Sequence, residues 1–391
     1  MTALGLRGYH IEVCDPNPNC LARFSRFVSK VHRCPGLRDD PAGFLAFVCD
    51  LLAREKFDVL LPIHEQGFLF ARVPERLAPL VAVALPSFDS YRLAHGKAAF
   101  TRLLTELGLP HPSTAFVRSV NELRGAVHLP CVIKTAVGTA SRGTWIIRTP
   151  GDLAWVLGEL ADGVADDGEV LVQDLVPGPV EHAQAVFCRG ELVACHAYRQ
   201  VLQGAGGGDA VKDSVDRPRV RADLGRIGAR LAWHGALSVD YIARAGDDVP
   251  IYIDCNPRLV EPMSAVIAGL DLAELLVQVS CGGRPDAAQA GRPGVRTHLA
   301  LQALLGCALR SGSRWELIHE CRHLLAKRGL YQRSSEELTP VHLDWLGAVP
   351  LLATAILLLA SPRLARDLPK RGWGSHLLST RSTRAIEQGF P

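Results

Sequence analysis

The sequence predicts mixed α and β structure: an α/β unit in residues 1–89, an α+β unit in residues 90–290 and a helical C-terminal region in residues 291–391. In the first unit, segments typical of strands and helices alternate, which favours a parallel sheet covered on both faces. In the middle unit, strand-like segments follow one another directly, which favours antiparallel pairing. The last region has mainly helical patterns.

The composition excludes some classes of protein. Net charge is +3, and no basic stretch is interleaved with aromatic residues, so we expect no nucleic-acid partner. The eleven cysteines form no CxxC pair and are spread through apparent core segments. That pattern fits reduced thiols in a cytoplasmic protein better than a disulfide framework.

The first unit begins with the end of a helix and the strand "HIEVCD". A helix at "PAGFLAFVCDLLAREK" and strands at "FDVLLPI" and "LVAVAL" follow. An α/β domain normally has a strand before its first helix, so we expect its first strand to be missing or to lie upstream. His64 and Glu65 follow "FDVLLPI", where open α/β sheets bind ligands, although a solvated loop is an alternative.

The middle unit begins with a helix in "SYRLAHGKAAFTRLLTELGLPHPST". "LPCVIKTAVGTASRGTWIIRT" predicts a strand, a loop rich in Gly, Ser and Thr, and a second strand. Lys134 ends the first of these strands. Loop N–H groups and a neighbouring ammonium suit phosphate, although no P-loop motif is present and a surface hairpin would look similar.

A predicted hairpin carries the strongest chemical signal. "GALSVDYIAR" and "VPIYIDCN" read as its two strands. Asp254, Asn256 and Arg258 alternate, so they share a face if the strand remains extended through Pro257. Asp240 on the other strand can lie beside them. Two carboxylates and an amide oxygen suit Mg²⁺ carrying a phosphate substrate, and the alternative is a polar strand end with its turn.

The order of these segments, from about Ser90 to Gly282, resembles the ATP-grasp superfamily, most closely its carbamoyl-phosphate-synthetase-like carboxylate–amine ligase branch. The resemblance rests on Lys97 and Lys134 ahead of "GTASRG", on "VLVQDLVPG" as the hinge between two lobes (173–177), and on the strand pair "SVDYI" and "IYIDCNPR". It implies an ATP-grasp fold after an N-terminally truncated, Rossmann-like α/β domain.

The resemblance implies roles for particular residues. For ATP these are Lys97, Lys134, Ser141, Arg142, Gly143, Gln173, Asp174, Val176 and Glu181, the last as the ribose-binding acid. Asp240, Asp254 and Asn256 would hold one or two Mg²⁺ or Mn²⁺ ions, and Arg258 would stabilise the transferring phosphoryl group or acyl phosphate. Two departures are Asp254, where Glu is commoner, and "QD" in the hinge.

"YRQVLQGAGGGDAVKDS" predicts a flexible loop. The resemblance implies substrate-binding basic residues there, so Arg199 and Lys212 are candidate catalytic residues near the acceptor. A plain flexible loop is the alternative. The glycine-rich loop after Lys134 would act as a lid that excludes water from a hydrolysable intermediate.

The activity that the resemblance implies is ATP-dependent ligation. A small-molecule carboxylate would become an acyl phosphate, and an amine would displace the phosphate. The alternatives are a small-molecule kinase and a nucleotide-binding protein without turnover. A homodimer is a further expectation.

The C-terminal region contains a wholly apolar segment, residues 345–361, followed by basic residues up to position 371. Three interpretations are open: a buried helix, an interfacial helix anchored by basic residues, or a short membrane span. Residues 345–371 therefore predict a site of peripheral membrane contact as one of these alternatives.

Overall fold

The protein is described from a computed structural model, which covers residues 1–136, 143–161, 169–244, 248–286, 289–368 and 376–389. The α-helices are α1 Thr2–Leu6, α2 Pro41–Glu55, α3 Gln66–Arg72, α4 Pro74–Leu77, α5 Phe88–His95, α6 Lys97–Glu106, α7 Val120–Ala126, α8 Pro150–Ala161, α9 Pro218–Leu231, α10 Met263–Ile267, α11 Leu272–Ser280, α12 Ala300–Ser311, α13 Arg314–Ala326, α14 Ala348–Ala360 and α15 Thr380–Gln388. The strands are β1 Ile11–Asp15, β2 Val28–Arg33, β3 Thr114–Val117, β4 Cys131–Thr135, β5 Thr144–Ile147, β6 Val170–Asp174, β7 Val180–Cys188, β8 Glu191–Gln203, β9 Asp209–Val215, β10 Gly235–Ala243, β11 Pro250–Asn256, β12 Gln289–Ala290, β13 Arg296–His298 and β14 Ser335–Glu336.

The first unit has a parallel pair, β1 and β2. The prediction of full strands at "FDVLLPI" and "LVAVAL" is wrong, because these segments meet only at one parallel bridge, Val59 with Ala82. Pro62 and Pro86 lie just beyond that bridge and carry no N–H donor, so neither can extend the ladder. Helix α2 begins as expected, with Pro41 at its first turn and the Asp40 side chain accepting from Gly43 N.

The helix predicted after Ser90 is divided in two. Gly96 takes an extended conformation (φ −80°, ψ 120°) and separates α5 from α6. Lys97 therefore stands at the first position of α6, and its backbone N–H donates to the carbonyl of Ala136 at 3.1 Å. The break fixes Lys97 beside the end of β4.

Two sheets form the middle of the molecule. The smaller sheet has the order β3-β6-β4-β5 and packs on α7 and α8. The larger sheet has the order β11-β10-β7-β8-β9-β13-β14, with β12 beside β8. Helix α9 covers its back with an apolar stripe at helical spacing, Val220, Leu224, Ile227 and Leu231. The same core includes buried residues of α2, α3 and α5, so the first unit and the larger sheet are packed together.

The prediction of a flexible loop around Arg199 and Lys212 is wrong. Both residues lie within strands, β8 and β9, which pair antiparallel. Only residues 204–208 connect them, with a single 3₁₀ turn at Ala205–Gly207. Pairing between the strands satisfies the backbone N–H groups that would donate to water in a flexible loop.

The C-terminal region contributes α12, α13 and α14, which share a small apolar core containing Leu304, Leu317 and Leu358. The chain then returns to the first unit. Helix α15 packs against α2 and α3, and Ile386 is fully buried in the main core.

Candidate active site

The predicted hairpin is present, and it brings the proposed metal ligands together. Strands β10 and β11 pair antiparallel, with Asp240 opposite Asp254 and Ser238 opposite Asn256. Cross-strand partners share a face of a sheet, so Asp240, Asp254 and Asn256 lie on one side. The Asn256 amide donates to Asp240 Oδ2 at 3.4 Å.

Two lysines reach this pair of strands. Lys97 Nζ donates to both oxygens of Asp254, at 3.0 and 2.8 Å. Lys134, from the smaller sheet, donates to the carbonyl of Ile253 at 2.6 Å. The two sheets therefore face each other across a cleft in which two ammonium groups lie beside the candidate metal carboxylates.

The buried surroundings shift the proton affinities of these groups. Burial lowers the pKa of Lys134 to about 8, against the opposing pull of Asp254. Burial alone would raise the pKa of Asp254, but Lys97 and Lys134 together hold it below its ordinary value. Asp254 is therefore a carboxylate at neutral pH, as a metal ligand must be.

The metal that the resemblance implies needs oxygen ligands, and the hairpin provides some of them. Within the described residues, no cluster of three or more His, Cys, Asp or Glu side chains is arranged to hold a metal alone. Two carboxylates and one amide oxygen fit Mg²⁺, which keeps waters and takes phosphate oxygens as further ligands. The residues present fit a metal that arrives with its nucleotide.

His182 on β7 lies on the same face of the sheet as these ligands. It pairs with Asp240 across the strands, and its Nδ1 is 2.7 Å from Asp240 Oδ1. Burial would lower the pKa of His182, but Asp240 raises it to about 9. The imidazolium thus balances the second candidate metal carboxylate. The sequence analysis did not single out His182.

Glu181 lies on the opposite face. Its fully buried carboxylate accepts hydrogen bonds from Arg199, Arg217 and the hydroxyl of Tyr241 at 2.7 to 3.0 Å. The ribose-binding role that the resemblance implies for Glu181 stays a prediction, and Glu181 lies on the face opposite His182 because adjacent residues of a strand point to opposite faces. This placement also removes Arg199 from the acceptor side of the cleft, since Arg199 forms an ion pair with Glu181 at 2.8 Å.

Lys212 is on the cleft side but is completely enclosed. Its ammonium contacts Glu261 at 2.5 Å and Glu337 at 3.0 Å, and it lies 4.4 Å from the centre of the Tyr198 ring. Burial would lower the pKa of Lys212, but the nearby carboxylate of Glu261 raises it. A direct substrate contact by Lys212, as predicted, is not compatible with this enclosure. Lys212 instead orients Glu261, whose side chain is 23% exposed.

Arg258 lies where the cleft meets the first unit. Burial lowers the pKa of its guanidinium, while Glu65, Asp240 and Glu261 act in the opposite direction. Those three acids come from three different segments and converge on one cation. His64 is close enough for Arg258 to contribute to its lowered pKa. His64 and Glu65 thus lie near Arg258, the proposed catalytic arginine.

The hinge residues lie at the end of β6 in the smaller sheet. Gln173 is buried and donates to Thr114 Oγ1 at 3.0 Å, and Asp174 contacts His128 at 2.7 Å. Val176 is half-buried in the connection to β7. Backbone groups of this connection stand between the two sheets, as an adenine-binding hinge requires.

The small loop after Lys134 is covered only in part. Ser141 and Arg142 lie outside the described residues. Gly143 has φ +69°, and its carbonyl accepts from Thr135 N at 2.8 Å. An added Cβ there would lie 2.1 Å from the Thr135 hydroxyl oxygen, so the position requires glycine.

Comparison with known proteins gave relatives in both sequence and structure. No protein-family model matches the chain. Formate-dependent phosphoribosylglycinamide formyltransferase of Nitratidesulfovibrio vulgaris (strain DP4) is 28% identical over 211 residues, which cover 50% of this chain and 52% of that protein. Carbamoyl phosphate synthase large chain of Rubrobacter xylanophilus is 27% identical over 251 residues, 60% of this chain and 23% of that protein. The chain spans about half the length of the first of these relatives and less of the second.

Solved structures agree with this likeness at the level of the fold. The ADP complex of N5-carboxyaminoimidazole ribonucleotide synthetase has a TM-score of 0.58 at 15% identity, over 80% of this chain and 81% of that one. The chain has the ATP-grasp fold. A second ATP-grasp structure, the biotin carboxylase domain dimer of Hydrogenobacter thermophilus 2-oxoglutarate carboxylase with MgADP and bicarbonate, has a TM-score of 0.58 at 15% identity, over 75% and 70% of the two chains. The predicted ATP-grasp fold is therefore confirmed, and the sequence similarity to carbamoyl phosphate synthase large chain agrees with the predicted branch.

Proposed function

We propose that this ATP-grasp chain is an ATP- and Mg²⁺-dependent ligase that activates a small-molecule carboxylate as an acyl phosphate for attack by an amine. The observation that carries the proposal is the convergence of Asp240, Asp254 and Lys97 with Lys134 on one cleft. The relatives include a formate-dependent formyltransferase and a carbamoyl phosphate synthase large chain, whose names describe transfer of a formyl group and synthesis of an acyl phosphate.

Each group in the cleft has a role in phosphoryl transfer. Mg²⁺, when bound by Asp240, Asp254 and Asn256, supplies neutralisation of phosphate charge. Lys97 and Lys134 provide further positive charge for the phosphate oxygens. Arg258 stabilises the charge on the acyl phosphate, and its burial strengthens that interaction. Positioning and charge neutralisation account for most of the catalysis in this kind of reaction.

The test uses hydroxylamine as the nucleophile, since it traps acyl phosphates as hydroxamates. Purified protein is incubated with Mg²⁺-ATP, hydroxylamine and one carboxylic acid at a time, and both ADP and hydroxamate are measured. We expect one class of acid to give both products in equal amounts, and Asp254→Asn to give neither.

The same assay separates the alternatives. ADP and a stable phosphorylated product, formed without any need for a nucleophile, would identify a small-molecule kinase instead. Tight ATP binding without ADP from any acid would identify a nucleotide-binding protein without turnover. Either result would overturn the ligase proposal.

A second proposal concerns the apolar segment of the C-terminal region. No helix in the described part of the chain is long and apolar enough to cross a bilayer. However, α14 and the turn before it expose an apolar stripe at helical spacing: Trp345 64%, Val349 46%, Leu352 60% and Ile356 66%. Arg363 and Arg366 follow on the exposed surface. An apolar stripe beside basic residues fits the interface of an anionic membrane.

We therefore propose peripheral contact between this stripe and an anionic bilayer. Co-sedimentation with phosphatidylserine-containing vesicles should exceed that with phosphatidylcholine vesicles, and Ile356→Asp should reduce it. The matched control is Ile146→Asp, which changes an apolar side chain of similar exposure (52%) on the smaller sheet. Equal binding by wild type and Ile356→Asp would refute the contact, and a concentration-dependent mass in the absence of vesicles would assign the stripe to a second copy of the chain.

A further inference from the structure

The C-terminal segment brings a histidine to the first unit, beside the carboxyl end of β1. His376 Nε2 is 3.3 Å from Asp15 Oδ2, at the carboxyl end of β1. The same segment is held in place by the backbone N–H of Leu378, which donates to the Glu65 carboxylate, and by Ser379, whose hydroxyl donates to the carbonyl of Arg38 at 3.4 Å. These contacts fix His376 on the first unit, more than 300 residues away along the chain.

Asp15 is itself held in a single orientation. Its Oδ1 accepts the backbone N–H of Asn17 at 2.7 Å, which leaves Oδ2 for His376. A carboxylate on one ring nitrogen fixes the tautomer of an imidazole and makes the other nitrogen a better proton acceptor. With the proton on Nε2 facing Asp15, Nδ1 of His376 carries the lone pair.

His376 lies beside His64, which is within electrostatic reach of Arg258. The two rings are stacked, with centroids 6.2 Å apart. Burial and the nearby Arg258 lower the pKa of His64 to about 3, so His64 remains neutral at physiological pH. The charged and titratable groups around His376 are thus Asp15, His64 and, beyond His64, Arg258, while Glu65 is engaged by Leu378 N.

An acceptor amine presents a chemical problem at this place. At neutral pH most amines are ammonium ions, which have no lone pair with which to attack an acyl phosphate. We propose that His376, oriented by Asp15, is the general base that removes this proton, an inference that rests on the proposed ligase function.

In the proposed step, Nδ1 of His376 takes one proton from the ammonium, and the free amine forms a bond from nitrogen to the acyl carbon. The bond from that carbon to the phosphate oxygen breaks, and phosphate leaves with the electron pair. The phosphate takes the second proton from nitrogen, giving amide, inorganic phosphate and a protonated His376, which returns its proton to solvent.

The experiment compares two nucleophiles with the acid that supports turnover in the hydroxamate assay. Hydroxylamine is mostly unprotonated at neutral pH and does not need a base, whereas methylamine is almost entirely protonated. For His376→Gln at pH 7 we expect methylamide formation to fall by ~10²-fold or more, the usual contribution of a general base. Hydroxamate formation should fall far less. The deficit with methylamine should shrink as the pH is raised.

Asp15→Asn should show the same selective loss to a smaller degree, and His319→Gln, on the exposed surface of α13, is the matched control. Thermal unfolding of each variant measures any structural damage separately. An equal loss with both nucleophiles would show a structural role for His376 and overturn the proposal, as would no loss with either. Wild-type protein that forms no hydroxamate with any acid would instead overturn the ligase function itself, and this inference with it.

Discussion

Lys97 donates to both carboxylate oxygens of Asp254, at 3.0 and 2.8 Å. A protein ammonium therefore contacts the carboxylate that is proposed as a metal ligand. Under the proposed function, Asp254 would hold Mg²⁺ and Lys97 would hold phosphate oxygens, so Mg²⁺-ATP would replace this ion pair on both sides. Metal and nucleotide should consequently bind with positive coupling, each removing the obstacle to the other.

The first prediction concerns the metal alone. Lys97→Met should tighten binding of Mn²⁺ in the absence of nucleotide by roughly tenfold, equivalent to ~1.4 kcal/mol, because the competing ammonium is gone. The same change should weaken ATP binding. Electron paramagnetic resonance of free Mn²⁺ measures the first effect. Lys30→Met, which removes an exposed lysine paired with Glu55, is the control, and unchanged Mn²⁺ affinity in Lys97→Met would contradict the exchange.

The second prediction concerns the oxygen ligands. Asp254→Ala and Asn256→Ala should each abolish Mg²⁺-dependent turnover while leaving the fold intact. Loss of an outer-shell partner alone typically costs ~10–100-fold, so loss of a ligand should exceed that range. Steady-state ADP release and far-ultraviolet circular dichroism test the two parts. Turnover near the wild-type rate in either variant would remove that residue from the metal site.

The third prediction distinguishes Glu181 from His182. Glu181→Gln leaves Arg199 and Arg217 facing a neutral group in a buried position, so the free energy of unfolding should fall by about 3 kcal/mol. Because Glu181 faces away from the cleft, the affinity of the remaining folded protein for ATP should not change. Denaturant titration and calorimetric ATP binding provide the two values.

A suitable comparison for the stability effect is Glu106→Gln, which removes the exposed partner of Arg230 and should cost much less, because solvent screens exposed ion pairs. His182→Ala should show the reverse pattern from Glu181→Gln, with weaker Mg²⁺-ATP binding. Weaker ATP binding in Glu181→Gln would support the ribose role that the resemblance implies.

The fourth prediction follows from Glu337. Burial raises its pKa to about 8, although Lys212 opposes the shift. The folded state therefore holds a proton that the unfolded state releases above the usual carboxyl pKa of 4.5. The contribution of Glu337 to stability is thus present at low pH and is lost as pH rises towards 8.

Glu337→Gln removes this dependence, because an amide does not titrate. Between pH 5 and pH 8 the free energy of unfolding of wild type should fall relative to that of the variant. Denaturant titrations at a series of pH values provide the measurement, and parallel curves for the two proteins would be inconsistent with a protonated Glu337.

Local sequence signals identify the part of the site that lies on two neighbouring strands. The period of two placed Asp254 and Asn256 on one face, and the hairpin brought Asp240 opposite them. At the start of β7 the resemblance implies a role for Glu181, whereas the register turns the neighbouring His182 towards the cleft. A polar residue at either position is compatible with the pattern, and only the pairing with β10 decides between them.

Residues contributed by distant segments could not be found in this way. Glu337, which directly follows β14, contacts Lys212, and His376, which lies beyond α14, contacts Asp15. Neither stands in a motif, and their roles depend on how the C-terminal region returns over the molecule. The enclosure of Lys212 was missed for the same reason, since glycines between β8 and β9 suggested a loop where the chain forms a tight connection between paired strands.

Helix α15 supplies Ile386 to the core that α2 and α3 also line. During synthesis the first unit emerges long before this helix does, and domains usually fold as units in order of emergence. Here the interior of the first unit stays incomplete until α15 has been made. The growing polypeptide therefore exposes this apolar surface while the segments between α3 and α15 are synthesised.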